Sequence, residues 1–172
     1  MGKSTIVAST KPAAYRLLYV QDATTSSQYN LACILGENST LELNPVTEDQ
    51  ADVTSVTQAS SLTGYKPQYS VSKPYMTADP IDTMVMGFIN GNKVGGDLNV
   101  KIMRVEIGMN SGGNALEIKN AYKASAQIQP QSLPNEAGQL AQISYNVVVT
   151  SDWESVTTST LTLGDAIITV TT

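Results

Sequence analysis

Between residues 116 and 128, apolar and polar side chains alternate almost without interruption. Leu116, Ile118, Tyr122, Ala124, Ala126 and Ile128 take one set of positions, and Glu117, Lys119, Lys123, Ser125 and Gln127 the other. A period of two belongs to a strand, because successive side chains leave opposite faces of a sheet, whereas a helix repeats every 3.6 residues. Upstream, Val100 to Ile107 reads as a partner strand across the turn Gly108-Met-Asn-Ser-Gly-Gly-Asn114. The two predict a long hairpin with one wet face. The apolar parity switches between Ile102 and Met103, which predicts a bulge there.

The remaining pattern is mostly of the same kind. Tyr15 to Val20, Tyr29 to Leu35 and Thr40 to Leu43 read as early strands. Tyr65, Tyr69, Val71 and Tyr75 share one parity against Lys66, Gln68, Ser70 and Ser72, with Pro67 and Pro74 near the ends, as on an edge strand. Ile143, Tyr145, Val147 and Val149 alternate, and Ser155 to Leu163 pairs with Ala166 to Thr171 over Gly164-Asp165. Ser and Thr together number 36, which suits strands and turns.

One helix interrupts the strands. Asp79 is a good N-cap, Pro80 suits the first helical position, and Asp82 complements the dipole in the first turn. Ile81, Met84, Val85, Phe88 and Ile89 then form a single apolar stripe, expected to lie on the sheet, and Asn90-Gly91 stops the helix. The expected fold is mainly β, a β-sandwich or flattened barrel carrying one short helix. At 172 residues the chain fits a single domain, 1–172, with an N-terminal arm at 1–13.

From Asn44 to Thr63 the pattern fails. Pro45 opens the stretch, Glu48, Asp49 and Asp52 follow, and Val46, Val53, Val56 and Leu62 are its apolar residues among Ser, Thr, Gln and Ala. A long unpatterned loop (44–64) inside a small domain is an interaction element or a disordered one.

Catalytic chemistry finds little to stand on. The chain has no His, which removes the commonest general base, the usual triad and most zinc sites. Cys33 is the lone cysteine, set in an apolar stretch where a buried thiol is the ordinary reading. Glu48, Asp49 and Asp52 lack the spacing of a calcium loop, and Gly2-Lys3-Ser4 lacks the rest of a phosphate-binding loop. With one Trp and one Phe, an aromatic-walled glycosidase cleft is poorly supplied, so no enzyme and no cofactor is expected. No apolar run spans a bilayer, and the N-terminus lacks the stretch of a signal peptide, so no membrane partner is expected. A net charge of −5 with scattered basic residues does not wrap nucleic acid, although an acidic surface lets it pass. Tyr65, Tyr69 and Tyr75 fit either packing on one strand face or a sugar-binding strip.

The stretches Tyr65-Lys-Pro-Gln-Tyr-Ser-Val-Ser-Lys-Pro-Tyr-Met76 and Ala78-Asp-Pro-Ile-Asp-Thr-Met-Val-Met-Gly-Phe-Ile-Asn-Gly91, in their order of strands, loop, strand and helix, resemble the major tail tube proteins of tailed bacteriophages and related contractile injection machines. The resemblance covers roughly residues 15 to 150. It implies a structural virion protein, made in the bacterial host cytoplasm, whose copies form six-membered rings that stack into a DNA-conducting tube. The implied partners are the chain itself, the tape-measure and tail terminator proteins, and DNA in transit. Residues 44–64, with Pro45, Glu48, Asp49, Asp52 and Leu62, would be the inter-ring loop. Strands 29–43 and 65–75 would line the channel, and Glu37 and Glu42 would be lumen acids. The rival reading is another β-module of the virion: a capsid decoration protein, a baseplate piece or a carbohydrate-binding adhesin.

Overall fold

The computed structural model describes residues 15–35, 39–50, 59–109, 111, 113, 116–132, 141–164 and 167–171, with the backbone path alone at 15, 47–50 and 59–63. The N-terminal arm at 1–13 lies outside them. In chain order the strands are β1 (Tyr15–Gln21), β2 (Gln28–Ile34), β3 (Ser39–Glu42), β4 (Pro45–Gln50), β5 (Ala59–Tyr65), β6 (Gln68–Pro74), β7 (Asn99–Met109), β8 (Leu116–Ser132), β9 (Gln142–Val149), β10 (Glu154–Ser155), β11 (Leu161–Leu163) and β12 (Ile167–Val170). The helix α1 (Pro80–Asn90) stands between β6 and β7. Among the described residues the protein is mainly β with one α-helix.

All pairings among the described residues are antiparallel, and the order in the main sheet is β11-β12-β2-β1-β7-β8-β9-β6-β3, with β10 added to β8. This order forces the sheet to roll. β2 and β3 lie six pairings apart, about 29 Å across a flat sheet at about 4.8 Å per strand. Yet Ile34 and Ser39 are joined by five residue steps, a reach of about 18 Å at most. Only a curled sheet satisfies both. The curl stops short of a flattened barrel, because the ladder ends at β3 and at β11 instead of closing.

The inner face of the roll holds the larger core. Leu18 and Val20 from β1, Cys33 from β2, Tyr69 and Val71 from β6, Ile102 from β7, Ile128 from β8 and Tyr145 and Val147 from β9 meet there. Ile81 and Val85 of α1 enter the same core, with Met84, Phe88 and Ile89 packed against it. The outer face has a second core, where Tyr19, Tyr29, Met103, Val105, Ile107 and Ala121 are covered by Val156, Leu161, Leu163, Ile168 and Val170. The C-terminal strands therefore fold back over the convex side.

This second core corrects the reading of β7. Ile102 and Met103 are both fully buried, one in each core, so the parity switch marks a strand covered on both faces and not a bulge. The irregularity falls between Glu106 and Ile107, whose partners on β8 are Asn120 and Ile118. The extra residue, Lys119, keeps Ile118 on the same side as Ala121. The hairpin also lacks the single wet face expected of it. At the C-terminus the β11–β12 pair turns at Gly164, whose N–H bonds to the Ile167 carbonyl. The strand expected over 155–163 is broken: Ser155 ends the short β10, Thr158–Thr160 form one 3₁₀ turn, and pairing with β12 begins at Leu161.

Candidate assembly surface

Strand β3 pairs with β6 on one side, and among the described residues it terminates the ladder on the other. Ser39 is buried beside Cys33, while Thr40, Leu41 and Glu42 are exposed. A free strand edge offers unpaired N–H and C=O groups to another strand. Apolar side chains sit beside it: Leu41, Leu43 and Tyr65 are 45%, 54% and 56% exposed.

The described part of 44–64 is not the unpatterned loop expected from its composition. β4 and β5 pair over Pro45↔Tyr65, Thr47↔Leu62, Glu48↔Ser61 and Gln50↔Ala59, as a two-stranded sheet separate from the main one. Its base is closed by the Lys66 N–H on the Asn44 carbonyl at 3.0 Å. Asn44 has φ of +42°, a left-handed turn conformation that asparagine tolerates better than most side chains. The sequence signal was weak because this hairpin has no apolar stripe to alternate, with Thr, Glu and Asp on β4 and Ser and Thr on β5. An isolated two-stranded hairpin is marginal in water.

Pro45, Glu48 and Asp49 therefore lie on β4 and Leu62 on β5, while Asp52 and Glu37 fall outside the described residues. Glu42 is exposed at the end of β3, opposite Gln68. Tyr65, Tyr69 and Tyr75 do not form a strip. Tyr65 ends β5, Tyr69 is fully buried, and Tyr75 is half-buried against the inner core. An open groove runs past Tyr65 and Lys66 to Thr150, Asp152 and Trp153. Trp153 is stacked from inside by the Arg104 guanidinium at 4.8 Å, which also lies 5.2 Å from the Tyr122 ring.

Among the described residues, no three His, Cys, Asp or Glu side chains come together as a metal site. Burial pushes the Cys33 thiol up to about 11, which leaves it protonated and poorly nucleophilic near neutral pH. No described helix is long and apolar enough to cross a membrane.

No protein-family model and no curated protein matches the chain. Its fold is similar to chains of three solved assemblies. A chain of the anti-feeding prophage tube-terminating cap is 14% identical with a TM-score of 0.49, over 90% of this chain and 97% of that one. A chain of an extracellular contractile injection system sheath–tube complex in the extended state is 12% identical at 0.46, over 91% and 99%. A chain of the anti-feeding prophage baseplate is 7% identical at 0.45, over 91% and 97%.

Sequence reasoning missed one polar cluster altogether. Lys73 lies on the inner face of β6 with Tyr69 and Val71, opposite Ile143. Its ammonium lies 2.6 Å from Asp79 Oδ2 and 3.0 Å from Asp82 Oδ1, with side-chain exposures of 11%, 22% and 0% for the three residues. A lysine on the apolar parity of an amphipathic strand was the available signal.

Proposed function

We infer that the protein is a tail tube subunit, a structural component of a virion with no catalytic role. Copies join edge to edge into rings of six, and rings stack into a channel that DNA crosses. One observation supports the reading above the others: a Ser-, Thr- and acid-rich hairpin stands in a sheet of its own beside a free strand edge. A hairpin of that composition gains its order from being covered. The exposed Leu41, Leu43 and Tyr65 beside it supply apolar area for a neighbour. Pairing across subunits removes the free edge that otherwise invites aggregation. In this reading β4–β5 contacts the next ring, Glu42 faces the lumen, and the tube ends meet tape-measure and terminator proteins. A wall without clustered basic residues lets DNA slide instead of binding it at each step. The sugar-binding alternative loses its platform, since Tyr69 is in the core.

The test is electron microscopy and sedimentation of the purified chain over a range of concentrations. Rings or tubes are expected for the natural sequence. A variant lacking residues 46–64, bridged by a short Gly-Ser linker, is expected to fold but not to stack. A chain that stays monomeric at high concentration, with assembly-independent folding of its hairpin, overturns the reading.

A further inference from the structure

The cluster at Lys73 is arranged as more than an ion pair. Asp82 is fully buried, and its Oδ2 accepts the Met76 N–H at 2.9 Å, while Oδ1 faces the Lys73 ammonium at 3.0 Å. Asp79 touches the same ammonium through Oδ2, and its Oδ1 is fixed by the Ile81 and Asp82 amides at 2.8 and 3.4 Å. The Tyr145 hydroxyl, also buried, lies close enough to feel both carboxylates. An amine, a buried carboxyl group with one oxygen already held by a backbone donor, and a second, partly exposed carboxylate are thus held together.

We propose that Lys73 and Asp82 condense into an intramolecular isopeptide bond, with Asp79 as the proton carrier. Lys73 Nζ, deprotonated by Asp79 Oδ2, attacks Asp82 Cγ, forming the N–C bond. The Met76 N–H stabilises the charge that develops on Oδ2, as an oxyanion donor does. The Cγ–Oδ1 bond then breaks. Two of the three ammonium protons, relayed by Asp79, leave on Oδ1 as one water molecule. The net charge of the cluster is unchanged, since one cation and one anion become a neutral amide and Asp79 remains a carboxylate. Two considerations favour the bond. Fixed neighbours react with effective concentrations far above those in solution. The amide also replaces a buried charge pair whose desolvation cost can exceed its attraction. Its consequence is a covalent tie between the end of β6 and the first turn of α1, independent of whether the chain builds a tube.

Intact-mass spectrometry of the natural chain in denaturing acid, where ion pairs dissolve, tests this directly. The expected mass is that of the sequence less one water. Chymotryptic cleavage after Tyr75, between the two residues, is expected to leave the peptides joined through Lys73 and Asp82. Lys73→Arg and Asp79→Asn, each checked for folding by circular dichroism, are expected to restore the full mass. A folded natural chain of full mass overturns the proposal, and so does a link that maps to Asp79.

Discussion

At Asp22 a single carboxylate organises a whole turn. Its Oδ1 accepts the Thr24 hydroxyl at 2.6 Å and the Thr24 and Thr25 amides at 2.8 and 2.9 Å, and its Oδ2 accepts the Asn30 side-chain amide at 3.0 Å. These donors, the Thr24 hydroxyl first, hold its pKa far below the ordinary 3.8. A depressed folded value contributes stability that is fully present above the unfolded value and is lost as pH falls towards the folded one. Chemical denaturation from pH 6 down to pH 2 should therefore show stability falling below about pH 4. Asp22→Asn should flatten that fall. At Cys33 the sign is opposite: burial raises the thiol to about 11, so a thiol reagent at pH 8 should label the unfolded chain and leave the folded one unmodified. At Asp79, replacement by Ala removes the cap of α1 and one partner of Lys73. A loss of about 1 kcal/mol or more is expected in urea titration from the cap alone.

Among the elements, α1 was the most legible. Its cap, its proline and its apolar stripe all act within one turn or along one face, so neighbouring residues carry the whole signal. The structure starts the helix at Pro80 with Asp79 capping it and ends it at Asn90. The left-handed residue that follows is Asn92, with φ of +46°, not Gly91. The hairpin β4–β5 was illegible for the converse reason, because its residues do not alternate apolar with polar. Changes at the surface beside it should separate folding from assembly. Leu41→Glu and Leu43→Glu replace exposed side chains, so thermal stability of the subunit should shift little, while ring or tube formation should fall sharply by sedimentation.

For the whole molecule, the two-sided burial of β7 has a measurable consequence. If Ile102 and Met103 occupy separate cores, truncating either to Ala should cost roughly 2–5 kcal/mol in denaturant titration. A strand with one wet face would make one of the two changes nearly silent. The sequence by itself determined the strand-rich class, the places of most strands and the capped helix, because period and cap chemistry are local. Tertiary structure decided the rest: the roll of the sheet, the second core under β11 and β12, the separate hairpin and the lysine held between two aspartates. Each of these depends on which distant strands become neighbours. A chain read residue by residue carries that information only through the short Ile34-to-Ser39 connection, which forces the sheet to curl once the order of pairing is known.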